Sequence, residues 1–384
     1  MKRHPLFCFV VGLLLSIDAS ALAHGPYVFK KIADSSTFNF FYDVAINDAG
    51  TVAFGGDPKN GLGTGIYTGN GGPITTVVDL TGQFQSISFI AGNPINNSGV
   101  VAFTAYLDSG GAGVFTSDAA SATTIALLNG SNGSFTSFGN FISINSSGSV
   151  AFTGFPISGG EGVYVGAGDS LTTIAHSDGP LNFSVNSVVS INDSGTVAFD
   201  ARTDDLGWGI YTGSGGALTT VADSNGPFAR LGAPSINSTG AVAFAATLDF
   251  DAGSGLYRRS GDQTVVIADT DGPLWLFGRP FLDDGGAIAF TASVEPKTMP
   301  NLYTGSDPIA DKVLAAGDSL FGSTLRTIHS YMVNAKGDVA FRYSLMNGES
   351  GVAVASLIPE PAAASLALLS CLSVLVAGRA SRRS

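Results

Sequence analysis

The eight residues Asn192-Asp193-Ser194-Gly195-Thr196-Val197-Ala198-Phe199 belong to a unit found seven times, with small edits, between residues 47 and 341. The copies begin at Asn47, Asn96, Asn145, Asn192, Asn237, Asp283 and Asn334, at intervals of 45 to 51 residues. Each places a glycine three residues on (Gly50, Gly99, Gly148, Gly195, Gly240, Gly286, Gly337) and closes on Ala-Phe. A fixed period of this length marks stacked supersecondary units, none of which can bury its apolar face alone.

The chemistry of the unit predicts its shape. Asn or Asp first and Gly fourth suit a type I turn, in which the Asn side chain bonds nearby backbone and Gly takes a positive φ. Such a turn makes a tight hairpin with a bulge. Val-Ala-Phe then reads as a short buried strand, with Ala where something packs close and Phe filling the gap beside it. Two more strands follow, as in Gly209 to Gly213 and Leu218 to Asp223. With the strand before the Asn, such as Ser187 to Ile191, each unit has four. Composition agrees: 45% hydrophobic residues, 12% charged residues and 51 glycines favour short strands and tight turns over helices or disorder. Four-stranded units repeated radially make a β-propeller, and a stacked solenoid is the competing arrangement.

The ends of the repeat decide between them. The seventh unit stops at its third strand, Gly351 to Ala355, while an unmatched Phe29 to Asp34 precedes the first unit. A closed ring uses such a split to latch its first and last blades together. The expectation is an all-β, seven-bladed propeller over residues 24–357, closed by residues 28–34. The repeat resembles the NxxGxxAF tandem repeat of bacterial surface proteins with alternative C-terminal anchors. The resemblance covers residues 28–356, departs only at Asp283, and implies a secreted, anchored protein without naming a ligand.

Both ends read as addresses. Lys2 and Arg3, an apolar run to Ile17, and Ala21-Leu22-Ala23 form a signal peptide over 1–23, cleaved by signal peptidase after Ala23. At the other end Pro359-Glu360-Pro361 precedes the apolar residues 362–377 and then Arg379, Arg382 and Arg383. Sixteen residues at roughly 1.5 Å each span about 24 Å, enough to enter a bilayer with some thinning. The arginines would stay cytoplasmic. This segment, 358–384, resembles the PEP-CTERM sorting signal, which implies processing by an exosortase, an inner-membrane intermediate, and a final place at the cell surface or in a biofilm matrix.

Residues 24–358 hold 13 basic and 28 acidic side chains, a net charge of −15 that argues against nucleic-acid binding. Cys8 and Cys371 both lie in the terminal segments, so the body has no thiol chemistry. His24, His176 and His329 have no metal-ligand spacing. No catalytic residue, metal site or cofactor is assigned. The acidic pairs at Asp204-Asp205, Asp249 with Asp251, Asp269 with Asp271, and Asp283-Asp284 offer Ca²⁺ chemistry, but turns favour Asp anyway. Binding residues favour the longer loops opposite the Asn turns. Trp208, Arg230, Asp251, Trp275 and Arg279 fall there. The leading expectation is a non-catalytic surface scaffold binding polysaccharide or protein; the alternative is an extracellular carboxylate-dependent hydrolase or lyase acting on polysaccharide.

Overall fold

The computed structural model describes residues 27–358, apart from 89–90, 129–134, 169 and 296–297. The signal segment and the sorting segment, with Ala21, Ala23, Pro359, Glu360, Pro361 and residues 362–384, lie outside the described residues. Seven sheets form the blades of a propeller, antiparallel but for the parallel pairing of Ala91–Asn93 with Phe135–Ile144. Blade 5 is representative: Phe228–Ile236 lies innermost, followed outward by Val242–Leu248, Ser254–Ser260 and Gln263–Asp269.

The repeated hairpin forms as its residue types dictate. In blade 4 the Gly195 N–H donates to the Asn192 carbonyl at 3.0 Å, and Asn192 Oδ1 accepts from the Thr196 N–H at 3.0 Å. All seven turn glycines have φ between 77° and 86°. A side chain there would force a non-glycine residue into the left-handed region.

The Ala-Phe pair is the joint between blades. Successive strand residues point to opposite faces, so Ala and Phe of one blade meet different neighbours. All seven phenylalanines and all seven alanines are fully buried. Ala198 of blade 4 packs in one cluster with Phe244 and Tyr257 of blade 5, and Ala243 of blade 5 with Phe290 and Tyr303 of blade 6. Ala340 of blade 7 packs with Phe54 and Tyr67 of blade 1. Small residues on one blade thus make room for an aromatic pair on the next. That pair repeats with little change, as in Phe103–Phe115 and Phe244–Tyr257, both 5.8 Å between ring centres.

The ring closes through the N-terminal strand. Blade 7 runs Ser323–Val333, Val339–Leu345, Ser350–Leu357 and then Tyr27–Asp34 on its outer edge. The latch begins one residue earlier than the repeat suggests, with Tyr27 opposite Leu357 and Asp34 opposite Gly351. Phe29 meets Phe341 edge-on at 6.0 Å, serving the seventh blade where Ala353 replaces the aromatic of the other copies. Tyr27 and Leu357 lie at the Asn-turn end, so the described chain enters and leaves on that face.

Blade 6 departs from the pattern. Its strands are short (Phe281–Leu282, Ile288–Ala292, Asn301–Tyr303, Lys312–Leu314), and an eight-residue connection, 304–311, replaces the expected tight turn between its last two strands. Asp307 and Asp311 hold that connection by accepting backbone N–H groups.

Candidate functional site

The axial channel has two unlike ends. At the Asn-turn end each Asn side chain does two jobs. Oδ1 holds its own hairpin, and Nδ2 reaches the next blade. Asn47 Nδ2 donates to the Asn96 carbonyl, Asn96 to Asn145, Asn145 to Asn192, Asn192 to Asn237 and Asn237 to Asp283, at 3.0 to 3.2 Å. Asn334 donates to the Asn47 carbonyl at 3.0 Å and completes the circle across the latch. One link is missing. Asp283 has no N–H to give to Asn334, and its buried Oδ2 has no hydrogen-bond partner. Burial pushes its carboxyl up to about 6, against three backbone N–H groups that favour the anion. A second circle lies just outside, where Asp48, Asp193 and Asp284 accept N–H groups of Ala335, Ser146 and Ser238 from the preceding blades.

The opposite end is irregular. Four residues before each Asn, in the inner strands or just ahead of them, stand Asp43, Gly92, Phe141, Val188, Ala233, Arg279 and Ser330. A cavity of about 280 Å³ opens there, lined among others by Asp43, Phe141, Arg279, Phe281, His329 and Tyr331. The Arg279 guanidinium lies 5.1 Å from the Phe141 ring and 4.8 Å from the Phe281 ring. Its backbone is fixed by Tyr331, whose hydroxyl donates to the Arg279 carbonyl at 2.7 Å and accepts from Thr291 N–H at 3.1 Å. Gly278 permits this approach, since a Cβ there would meet Thr291 Oγ1 at 2.2 Å.

Charge is concentrated around this cavity. Arg279 keeps some exposed surface, but Nε and Nη1 are shut from solvent and lack partners. Burial brings its guanidinium down to about 10, opposed by Asp200, Tyr331 and Asp43. Asp200, buried and accepting the Val188 N–H at 2.6 Å, is pushed by burial up to about 6, with Arg279 opposing. Burial also raises Asp43, against the pull of Arg342 and Arg279. His329 is lowered by burial and by Arg342 and Arg326, and its Nε2 lies 2.8 Å from Ser344 Oγ. Arg342 donates Nη1 to the Phe41 carbonyl, and its Nε is buried without a partner.

The five long-loop candidates are not brought together. Only Arg279 reaches the axis. Trp208 lines a separate hollow of about 320 Å³, stacked 4.5 Å from the Arg202 guanidinium and packed against the core of blade 5, which makes it a packing residue. Arg230 lines another hollow of about 320 Å³ with Leu276 and Phe277. Trp275 is 40% exposed and pairs through its backbone with Ser293. Asp251 closes the single-turn helix Asp249–Asp251. Of the acidic pairs, Asp269 caps its own turn, its Oδ1 accepting from Asp271 N–H, and Asp204 Oδ1 accepts from Asn182 Nδ2 across the blade. Among the described residues no group of three His, Cys, Asp or Glu is placed to hold a metal ion. Asp43, Asp200 and Arg342 are not singled out by the sequence, and His329 is weighed there only as a metal ligand. Aligning the copies four residues before each Asn would have isolated Asp43 and Arg279 as the only charged members of that column.

Among solved structures the chain is similar to an oligogalacturonate lyase from Vibrio parahaemolyticus, at 14% identity and a TM-score of 0.56 over 87% of this chain and 97% of that one. A second oligogalacturonate lyase, in complex with manganese, matches at 13% identity and a TM-score of 0.54, again over 87% and 97%. Prolyl oligopeptidase B from Galerina marginata matches at 9% identity and 0.51, over 81% of this chain and 47% of that one. At these identities the likeness is one of fold alone. No curated protein matches in sequence. The model of a family of unknown function, DUF7453, matches residues 28–253 and again 79–319, two starts about one blade apart, as a repeat matched in two registers should give. Those matches span well over half of the chain, which therefore belongs to the DUF7453 family.

Proposed function

We propose that this protein is a secreted, surface-sorted propeller that binds an acidic polysaccharide through its axial cavity, without catalysis. The observation that carries this reading is Arg279. Its Nε and Nη1 are buried, charged and unpartnered at the wall of an open cavity. A buried charge whose donors lack partners is costly, and a carboxylate held against the part of the side chain that stays exposed in the cavity offsets that cost by charge. Phe141, Phe281 and Tyr331 supply apolar faces beside it, the combination that suits a sugar acid. In a body of net charge −15 this is a local basic point, so binding depends on fit and not on long-range attraction. The similar fold of two oligogalacturonate lyases makes oligogalacturonate the first probe.

Export and sorting rest on residues 1–23 and 358–384. Both described termini lie on the Asn-turn face, so a tail held in a membrane or matrix would leave the cavity facing outward. Titration calorimetry of the full chain with oligogalacturonate and with a neutral oligosaccharide of equal length tests the ligand. Saturable heat with the acid only is expected, with affinity weakened roughly tenfold to a hundredfold in Arg279→Gln. Equal heats for both sugars, or binding indifferent to Arg279→Gln, would sink the proposal.

A second reading, a lyase, is favoured by Asp43 on the same cavity wall, whose raised carboxyl makes it a stronger base than an ordinary Asp. It would take the proton from C5 of a uronate while Arg279 neutralises the sugar carboxylate. The C4–O4 bond breaks, a C4–C5 double bond forms, and the departing oxygen takes a proton from water. An ultraviolet-absorbing unsaturated product, absent with Asp43→Asn, would favour this reading over simple binding.

A further inference from the structure

We propose that the Asn-turn mouth of the channel binds one hard cation, Ca²⁺ fitting best, at the break between Asp283 and the Asn334 carbonyl. The argument starts from the circle of side-chain bonds. Six of its members use Oδ1 for their own hairpin and Nδ2 for the next carbonyl. Asp283 uses Oδ1 in the same way, accepting the Ala287 N–H at 2.7 Å. Its Oδ2 takes the place of the amide donor of the others, so the Asn334 carbonyl, which accepts the Gly337 N–H at 2.8 Å, lacks the second donor that the other six carbonyls receive.

The residue is 6% exposed, and that Oδ2 has no partner. Asp283 lines a small axial hollow of about 90 Å³ together with Asn334, Asp284, Asp48 and Asp193. That space holds an ion and a few waters. Three neighbouring carboxylates deepen the negative potential there although their oxygens already accept backbone N–H groups. Ca²⁺ accepts mixed carboxylate, carbonyl and water oxygens in flexible geometry, whereas Mg²⁺ holds its waters and demands an octahedron. With one free carboxylate oxygen the affinity falls in the weak range of extracellular modules, a Kd of roughly 10⁻⁴ to 10⁻³ M.

The test is thermal unfolding of the full chain at pH 7.5 in rising CaCl₂, with MgCl₂ and KCl at matched ionic strength, for the wild type and Asp283→Asn. The amide supplies the missing donor and closes the circle, so the variant serves as the ion-free reference. The expected result is a saturable rise in Tm with CaCl₂ in the wild type, absent in Asp283→Asn. Calorimetric titration of the wild type alone should give one Ca²⁺ per chain, a readout that does not depend on the variant folding. No saturable Ca²⁺ effect, or an equal effect in both proteins, overturns the proposal. A Tm that responds only to acidification would assign the gap to a proton instead.

Discussion

The two ends of the channel are lined by residues four positions apart on the same seven inner segments, and they obey opposite rules. At the Asn-turn end six of seven side chains are identical and each does what its neighbour does. At the other end no two of the seven residues agree, and the one arginine among them lies against two aromatic rings. Repetition there would defeat a site, because seven arginines would repel one another. The Asn end can repeat because an amide both donates and accepts without charge. Stability therefore belongs to what the copies share, and recognition to what they do not.

The largest test breaks the ring that both ends need. Deleting Tyr27 to Asp34 removes the outer strand of blade 7, its buried Tyr27, Ile32 and Ala33, and the Phe29–Phe341 contact. At about 1.5 to 3 kcal/mol for each large buried side chain, the loss should reach about 5 kcal/mol or more. Urea unfolding measures it, and an unchanged midpoint would show that the circle of Asn bonds closes the ring unaided.

Acid should stabilise this protein before it harms it. Asp283 and Asp200 both have carboxyls raised to about 6, so the stability lost on ionising them is present below pH 4 and disappears as pH rises through 6. Two units correspond to about 3 kcal/mol for each, before relaxation. Asp34 runs the other way. Burial opposes its ionisation, but Lys31 and Ser36 bring it to about 2, and its contribution is lost as pH falls from 4 toward 2. Tm against pH should therefore climb from pH 7 to a maximum near pH 4 and then fall. A profile flat from 7 to 5 would mean that neither buried carboxyl is raised.

Substitutions at equivalent ring positions should have opposite signs. Asn192→Ala loses the Thr196, Ser194 and Asn237 bonds, at a cost of about 2 to 3 kcal/mol. Asp283→Asn should instead gain about 2 kcal/mol at pH 7.5, because it removes a buried charge and adds a donor. The gain is smaller than the full ionisation cost, since an amide is a weaker acceptor for the Ala287 N–H than a carboxylate. Neither change should alter ligand binding at the far end.

How much of this was legible follows the same division. The hairpin, the Ala-Phe joint and the latch could all be read, because each depends on residue types near one another or on a unit visibly short of a strand. The second job of the Asn side chain could not, because Nδ2 of Asn192 finds its acceptor 45 residues away. Arg279 stands on a long connection, but so do Trp208 and Arg230, which line hollows of their own, so that position alone does not mark the axial residue. Asp43, Asp200 and His329 belong to blades 1, 4 and 7, and only closure of the ring brings them toward one axis.

The smallest expected effect on stability is the sharpest test of the comparison. Arg279→Gln removes a guanidinium with two stranded nitrogens, which favours folding, and withdraws the cation that offsets Asp200 and Asp43, which opposes it. The two terms nearly cancel, so the midpoint in urea should move by less than about 1 kcal/mol. Binding should behave otherwise. A hydrogen bond to a charged group contributes about 1.5 to 3 kcal/mol, so affinity for an acidic oligosaccharide should fall roughly tenfold to a hundredfold. Glutamine is shorter and keeps an amide donor group but not the charge, so the loss should be specific to acidic sugars. If Arg279→Gln unfolds the protein as readily as Asn192→Ala, Arg279 is part of the structural ring, and the two ends of the channel do not divide the labour.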